Sequence, residues 1–340
     1  MTYLITGGCG FLGSNVAARL IETGHQAIVF DNLARHGASE NLKWLRTLGD
    51  FEFVHGDTRN PFDLAPLLRK PGLRAVFHLA GQVAMTTSLK SPRKDFEINV
   101  LGTINLLEAM REHAPEAAVV YASSNKVYGD LSFLDLVEGA TRYSPRAGGR
   151  GVDESAPLEF HTPYGCSKGA ADQYMLDYAR GFGLKTVVFR HSTIYGGRQY
   201  ATFDQGWVGW FVRQAIELQG NPNRPPFTIS GDGKQVRDLL HVSDAVAAYL
   251  AAVDHMEAAQ GQAFNIGGGM ENSFSLLELF QHLEQRLNVE MQYERLPWRQ
   301  SDQKLFVADN AKATRLLRWR PEVTKEQGIE SVIAWEQSLA

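Results

Sequence analysis

The stretch Thr6-Gly7-Gly8-Cys9-Gly10-Phe11-Leu12-Gly13 decides the fold of this 340-residue chain. It follows the short apolar run Leu4-Ile5 and leads into a helical pattern over residues 11–23. Its first, fourth and seventh positions after Thr6 are the glycines of a G-x-x-G-x-x-G spacing. Glycines there let the backbone turn tightly and approach a pyrophosphate, which then lies at the helix N-terminus. The stretch therefore predicts a strand–turn–helix unit that binds a dinucleotide.

Short apolar segments alternate with helical patterns along the first 190 residues, and residues 263–267 look like one more strand. This rhythm is typical of a doubly wound parallel sheet, a Rossmann-type α/β fold. The predicted strands lead to Asp31, Asp57, Gly81 and Ser124. Ligands bind such sheets beyond the carboxyl ends of the strands, so we expect these four residues around one site.

The position of Asp31 predicts which dinucleotide binds. Asp31 comes eighteen residues after Gly13, where a carboxylate accepts hydrogen bonds from the adenosine ribose hydroxyls. A carboxylate repels a 2′-phosphate, so the sequence favours NAD over NADP. Arg35 follows closely and leaves NADP as the alternative. Asp57, after the third strand, is expected near the adenine edge.

The segment Tyr164-Gly165-Cys166-Ser167-Lys168 predicts an acid–base pair. Thr162-Pro163 is a good helix start, and side chains four residues apart leave the same face of a helix. An unperturbed tyrosine titrates near pH ~10. A nearby ammonium favours the phenolate, and a shift of ~3 pKa units corresponds to roughly 4 kcal/mol. We therefore expect Lys168 to lower the pKa of Tyr164 so that the phenolate can act as a base.

Composition excludes several classes of function. The net charge of −4 does not suit a general nucleic-acid-binding protein. No apolar run approaches membrane-spanning length. Cys9 and Cys166 form neither a disulfide framework nor a metal cluster. We expect a protein of the reducing cytoplasm without a metal site.

The rhythm changes after Tyr195-Gly196-Gly197, which predicts a smaller C-terminal α/β domain. The predicted NAD-binding domain is 1–190 plus 239–267, and the predicted substrate domain is 191–238 plus 268–340. Arg237 and Arg299 are candidate phosphate ligands, because a planar guanidinium matches phosphate oxygens. Residues 130–163 look irregular, and a segment of that length is expected to be functional or mobile.

The assembled pattern resembles the extended short-chain dehydrogenase/reductase family of nucleotide-sugar epimerases and dehydratases. The matching elements are the glycine stretch, Asp31-Asn32-Leu33, His78-Leu79-Ala80-Gly81, Asn99, Ser123-Ser124, Val127-Tyr128-Gly129, Tyr164 to Lys168, and Arg237-Asp238. The resemblance implies a tightly bound NAD that is regenerated in every cycle. It also implies a nucleotide-diphosphate sugar as substrate and a homodimer or homotetramer as the assembly.

The resemblance implies roles for individual residues of this sequence. Tyr164, Lys168 and Ser124 are the implied catalytic residues, with Ser123 as the rival of Ser124. The implied cofactor-binding residues are Gly7, Gly10, Phe11, Leu12, Gly13, Asp31, Asn32, Arg35, Asp57, Leu79, Ala80, Gly81, Asn99, Ser123, Tyr164, Lys168 and His191. The implied substrate-binding residues are Gln82, Met85, Thr86, Ser124, Asn125, Thr193, Gln205, Arg237, Arg299 and Asp302. His78 is expected to be a packed strand residue.

Within the family, several stretches are similar to the branch that inverts C2 of a CDP-linked 3,6-dideoxyhexose. They are residues 81–88, 125–131, 163–175 and 204–211. Sugar 4,6-dehydratases carry an Asp-Glu pair where this chain has Asn125 and Lys126, so dehydration is disfavoured. A UDP-sugar 4-epimerase with the same Tyr, Lys and Ser is the alternative. A non-catalytic NAD-binding sensor is a more distant one.

Overall fold

The computed structural model describes residues 1–339 of the chain. Its strands are β1 (Thr2–Thr6), β2 (Gln26–Asp31), β3 (Glu52–His55), β4 (Leu73–His78), β5 (Ala118–Ser124), β6 (Leu136–Glu138), β7 (Tyr143–Pro145), β8 (Thr186–His191), β9 (Thr193–Tyr195), β10 (Phe227–Ser230), β11 (Val236–His241), β12 (Gln262–Ile266), β13 (Ser273–Ser275), β14 (Tyr293–Leu296) and β15 (Leu305–Phe306).

The α-helices are α1 (Phe11–Glu22), α2 (Ala38–Leu48), α3 (Pro61–Leu68), α4 (Met85–Lys90), α5 (Pro92–Phe96), α6 (Gly102–His113), α7 (Thr162–Phe182), α8 (Trp207–Gly220), α9 (Val242–Asp254), α10 (Met256–Ala259), α11 (Leu276–Leu287), α12 (Ala311–Leu317) and α13 (Lys325–Ser338). A π-helical turn spans Glu97–Leu101, and 3₁₀ turns span Asn125–Tyr128 and Met270–Asn272. No helix within residues 1–339 is long and apolar enough to cross a membrane.

Seven parallel strands form the central sheet, in the order β3-β2-β1-β4-β5-β8-β12. Successive strand side chains point to opposite faces. Ile5 packs in the core on the side of α1, α2 and α9, whereas its neighbour Leu4 packs in the core on the side of α3, α6 and α7. Helices thus cover both faces, which confirms the predicted doubly wound sheet.

Two local predictions need correction. The residue pattern from 92 to 109 predicts one continuous helix, but the structure divides this stretch among α5, the π-helical turn and the first part of α6. The extra residue of a π turn is a feature often found at functional sites, and Asn99 lies in this one. The segment 130–163 is also less irregular than predicted, because β6 and β7 pair as an antiparallel hairpin. Strands of three residues are too short to give a periodic sequence signal.

The hairpin packs on the C-terminal part of the chain. Arg142 donates two hydrogen bonds to the Glu278 carboxylate at the start of α11, at 2.8 and 2.7 Å. Tyr143 donates to Asp232 at 2.6 Å. This part also has its own apolar core, formed by α8, α11 and α13 against β10 and β14. We keep the predicted division into two domains as a proposal.

Candidate active site

A cavity of 660 Å³ lies at the carboxyl ends of the central strands, facing the C-terminal part of the chain. Almost every predicted site residue lines it; the exceptions are Asn99 and Thr86. Thr86 instead donates a hydrogen bond of 2.7 Å to Asp204, which is itself in the wall. Met85, Thr193 and Gln205 are at the wall as predicted. One cavity therefore contains the predicted catalytic, cofactor and substrate residues.

The glycine turn fits a pyrophosphate. Gly7 has φ of +68°, and a Cβ there would lie 2.6 Å from the Ala80 nitrogen. A Cβ on Gly13 would lie 2.1 Å from the Gly7 carbonyl oxygen. The turn is closed by the Gly10 N–H, which donates to that same oxygen at 3.0 Å. Because no side chain caps the N-terminus of α1, its dipole and free amides are available to an anion.

Asp31 is held at the end of β2 beside this turn. Its carboxylate accepts from the Cys9 N–H at 2.9 Å and from the Leu33 N–H at 2.7 Å. Burial raises its pKa, and these backbone hydrogen bonds oppose the rise. Carboxylate oxygens accept more than one hydrogen bond each. Asp31 can therefore still accept from ribose hydroxyls, so the residues present fit NAD.

Asp57 is bound to protein groups at the rim of the cavity. Arg59 donates to its carboxylate through Nε at 3.0 Å and Nη2 at 2.7 Å, and Asn32 donates at 2.8 Å. Arg59 lowers the pKa of Asp57 well below its usual range. Arg35 is exposed on the same rim. Asp57 and Asn32 thus reach the cavity as a pair, with the carboxylate already partnered.

Tyr164 lies in the first turn of α7 and is buried. Burial raises the pKa of its phenol to about 12, and a hydrogen bond with Ser124 opposes the rise. The expectation that Lys168 lowers this pKa is wrong for the chain by itself. Burial has the largest effect on the Tyr164 pKa, and the Lys168 ammonium binds a different group.

The Lys168 ammonium binds the strand next to it instead of the phenol. Its Nζ donates to the Ala122 carbonyl at 2.8 Å and lies 4.9 Å from the centre of the Tyr121 ring. Burial lowers the pKa of Lys168 to about 8, and the Asp95 carboxylate opposes this. Tyr164 and Lys168 therefore lie in one cavity, as their common helix face predicts, but the ammonium forms its hydrogen bond with Ala122 and not with the phenol.

The structure distinguishes the two rival serines. Ser123 donates to Asp172 at 2.8 Å, and Arg190 donates to the same carboxylate through Nε and Nη2, at 2.9 Å each. Ser123 is thus part of a buried ion-pair network at the carboxyl end of β5. The Ser124 hydroxyl donates to Asn125 at 3.3 Å and accepts from the Lys126 N–H at 3.1 Å. Both serines line the cavity, but only Ser124 acts on the Tyr164 phenol, whose pKa it lowers.

Two buried histidines support the site in neutral form. His191 contacts the Ser123 carbonyl oxygen at 3.2 Å and the Tyr249 hydroxyl at 3.0 Å. His78 lies between the hydroxyls of Thr6 and Thr103, at 2.8 and 3.0 Å. Burial and the Lys168 charge lower the pKa of each to about 3. His78 is therefore a packed strand residue, as predicted.

Asn99 acts on the cavity through the loop that follows β4. Its side chain accepts from the Gln82 N–H at 2.9 Å and donates to the Gln82 carbonyl at 3.1 Å. It also donates to Ser167 at 2.9 Å. The Gln82 side chain itself donates to Asp95 at 2.6 Å. Asn99 and the Gln82 amide thus hold the loop in place from behind the wall.

Asp95 is a site residue that the sequence did not predict. It is 1% exposed and accepts hydrogen bonds from Gln82 and Ser167. Its charge raises the pKa of both Tyr164 and Lys168. For Lys168 this opposes the effect of burial, which lowers the pKa. A lone carboxyl in a charged helical turn gives no sequence signal; the packing of α5 against α7 brings Asp95 to Ser167.

Charged side chains form the wall opposite the glycine turn. Arg237 donates to Asp302 at 2.8 Å, and Lys126 lies 3.6 Å from the same carboxylate oxygen. Arg299 donates to the Ser230 hydroxyl at 3.1 Å. Arg237 and Lys126 share the Asp302 carboxylate, whereas Arg299 binds a neutral hydroxyl, so positive charge exceeds negative charge among these residues. Such a wall suits a diphosphate.

Two further features of this wall were not predicted. The aromatic side chains of Phe203, Trp207 and Trp210 line it and can cover a base or a sugar ring. Asn125, where dehydratases carry a carboxylate, donates to the buried Gln303 at 2.9 Å. Its amide is therefore fixed by a residue far along the chain.

Comparison with known proteins places these features in a family. The family described as NAD dependent epimerase/dehydratase matches residues 3–267. The chain is 56% identical over 339 residues to the CDP-paratose 2-epimerase of Salmonella typhi, covering 100% of both chains. It is 31% identical over 333 residues to the UDP-glucose 4-epimerase of Mycolicibacterium smegmatis, covering 98% and 97%. The solved UDP-glucuronic acid 4-epimerase of Bacillus cereus, in complex with UDP-glucuronic acid and NAD, superposes with a TM-score of 0.84 at 26% identity over 100% of both chains.

Proposed function

The chain belongs to the NAD dependent epimerase/dehydratase family, and from this premise we propose that it inverts C2 of a CDP-linked 3,6-dideoxyhexose, interconverting CDP-paratose and CDP-tyvelose. The observation that carries the proposal is the 56% identity, end to end, with a CDP-paratose 2-epimerase. Asn125 and Lys126 support it, because neither can serve as the acid–base pair of a dehydratase.

NAD is the cofactor of this family, and the glycine turn, Asp31 and the wall around Gly81 are the parts that would hold it. When bound, it supplies reversible hydride transfer, so that C2 is oxidised to a ketone and reduced again on the opposite face. The chain contributes the proton transfers and the orientation of the sugar.

Tyr164 would accept the proton of the C2 hydroxyl, and Ser124 would hydrogen-bond the same oxygen. Ser124 already lowers the pKa of the phenol, and the Lys126 N–H holds its hydroxyl in place at 3.1 Å. With a phenol pKa of about 12 in the chain alone, positive charge near Tyr164 must increase before the phenolate forms at neutral pH. Lys168 would move from Ala122 to a ribose hydroxyl and bring its charge closer to the phenol.

Arg237 and Arg299 would bind the diphosphate, and the aromatic wall would cover the base. A closed cavity matters for this reaction, because a released keto sugar would be lost to side reactions. A shift of the ligand by two ring positions, from C2 to C4, would change the reacting hydroxyl without changing Tyr164 or Ser124.

The test is incubation of the purified protein with CDP-paratose in deuterated water. We expect CDP-tyvelose without deuterium at C2, because the hydride does not exchange with solvent. Deuterium at C2 would contradict hydride return and indicate proton abstraction. Turnover of UDP-glucose or UDP-galactose, without turnover of CDP-paratose, would favour the 4-epimerase alternative that the M. smegmatis relative represents.

We also propose that the chain forms a homodimer or homotetramer and acts in a reducing cytoplasm. Helices α5 to α7 and the π turn expose Phe96, Leu101 and Tyr174 by 54%, 40% and 45%. Large exposed apolar side chains on neighbouring helices favour subunit contact. Light scattering should give two or four times the chain mass of 37.8 kDa, and a monomer would contradict the proposal.

A further inference from the structure

Lys126 extends from the predicted catalytic serine to the charged wall. Its backbone N–H donates to the Ser124 hydroxyl at 3.1 Å, within the 3₁₀ turn Asn125–Tyr128. Its side chain extends away from Ser124, and the ammonium donates to the Ser301 carbonyl at 3.1 Å. The side chain is 18% exposed and lines the cavity. One residue therefore connects the reacting position to the phosphate-binding side.

Charge around the ammonium is only partly balanced. Asp302 is its nearest carboxylate, at 3.6 Å, and the same oxygen accepts a shorter hydrogen bond of 2.8 Å from Arg237. Asp130, after the turn, is the other carboxylate that acts on it. Burial and the Arg237 charge lower the pKa of Lys126 to about 8. An ammonium has three donors, so a phosphate oxygen can be added to the contacts seen here.

The chemistry of the substrate says which phosphate would bind. In a nucleotide sugar the terminal phosphate is attached at C1, next to C2 and across the ring from C4. A cation on the same turn as Ser124 can bind that phosphate while C2 is at Tyr164. When C4 is at Tyr164, the ring separates the phosphate from this turn. A lysine here thus suits a reaction at C2.

We infer that Lys126 binds the sugar-linked phosphate and thereby selects C2, rather than C4, for reaction at Tyr164 and Ser124. The inference rests on the proposed function and deepens it, because it names the residue that determines which carbon reacts. A 3,6-dideoxyhexose has free hydroxyls at both C2 and C4, so one substrate reports the choice directly.

The experiment compares the NAD-loaded wild type with Lys126→Met and Lys126→Arg. Lys234→Met is the matched control, because Lys234 pairs with Glu138 at 2.7 Å outside the cavity wall. Calorimetry gives the affinities for CDP and for CMP, which lacks the terminal phosphate. NMR of CDP-paratose turnover gives the ratio of C2 to C4 epimer. Thermal unfolding shows that each variant is folded.

We expect Lys126→Met to weaken CDP binding by about 10- to 100-fold, the range for a lost charge-assisted hydrogen bond, and to leave CMP binding nearly unchanged. It should slow C2 inversion and raise the proportion of C4 epimer. Lys126→Arg should retain most of the CDP affinity, and Lys234→Met should match the wild type.

Equal losses for CDP and CMP, or a folded Lys126→Met with wild-type CDP affinity and product ratio, would overturn the inference while leaving the proposed function intact. If the wild type does not convert CDP-paratose, the proposed function fails. The CDP and CMP affinities then still decide whether Lys126 binds the terminal phosphate.

Discussion

The two walls of the cavity are built from different parts of the protein. The cofactor wall is mainly backbone, with a glycine turn in which added Cβ atoms would lie 2.1 to 2.6 Å from other backbone atoms. The opposite wall is made of long charged side chains from distant segments, among them Lys126, Arg237 and Asp302.

Because of this difference, we expect the two walls to tolerate substitutions differently. The backbone wall has no space to relax, so an added methyl group must displace the turn. The charged wall is only partly neutralised from within, because Asp302 already accepts from Arg237 at 2.8 Å. A bound diphosphate would replace ion pairs within the wall by ion pairs to phosphate. Loss of one charged side chain should therefore weaken binding only in part. The predictions below test this contrast, beginning where the walls meet.

The largest effect is expected for Tyr164→Phe. Removal of the acid–base group should lower kcat by about 10²- to 10⁴-fold. NAD content and CDP affinity should not change, since neither wall is altered. Measurement requires CDP-paratose turnover and calorimetry on the same preparation. Unchanged turnover would contradict the role of Tyr164 as the acid–base group, and absence of turnover by the wild type would support a non-catalytic NAD-binding protein.

The next effect is expected on the backbone wall, for Gly13→Ala. Its Cβ would meet the Gly7 carbonyl oxygen at 2.1 Å, and overpacking of this kind costs about 1–3 kcal/mol, or roughly 10- to 100-fold in NAD affinity. Fluorescence titration with NAD measures the loss.

The control is Gly181→Ala in α7, where an added Cβ meets nothing within 4 Å. We expect it to bind NAD normally and to gain about 0.5–1 kcal/mol of stability. If Gly13→Ala also binds NAD normally, the backbone wall is more compliant than we infer.

A smaller effect separates neighbouring serines at the end of β5. Ser124→Ala should lower kcat by about tenfold, because it removes one hydrogen bond to the reacting oxygen. It should also lose about 1 kcal/mol of unfolding free energy, because the hydroxyl accepts from the Lys126 N–H. Ser123→Ala should keep kcat and lose about 1 kcal/mol of unfolding free energy, since Asp172 loses a donor at 2.8 Å. The reverse pattern of kcat would make Ser123 the catalytic serine.

The smallest effect is expected for Asp95→Asn, behind the cofactor wall. The Asp95 charge raises the pKa of both Tyr164 and Lys168, so its loss should lower both. Phenolate formation would then begin at lower pH, and the Lys168 charge would also be lost at lower pH. Both limbs of the pH–kcat profile should move to lower pH, by about one unit. A lower kcat with both limbs in place would indicate only a structural role.

The cofactor wall could be predicted because its determinants are contiguous. Gly7, Gly10, Gly13 and Asp31 lie within one strand–turn–helix–strand unit, where spacing along the chain sets distance in space. The same locality made Tyr164 and Lys168 recognisable as a pair, whereas the role of Ser124 was implied by the family resemblance. The charged wall was predicted only in part, because Arg237 and Arg299 carry no local signal that distinguishes them from surface arginines.

By itself, the sequence determined the doubly wound sheet, the glycine turn, the acid at the end of β2 and the placement of Tyr164 and Lys168 on one helix, since each follows from local periodicity and backbone sterics. Only the tertiary structure decided that Lys168 binds the Ala122 carbonyl and that Asp95 lies beneath α7. It also decided that Lys126 shares Asp302 with Arg237. These outcomes depend on burial and on charges brought together from distant segments, and neither is encoded in the spacing of residues along the chain.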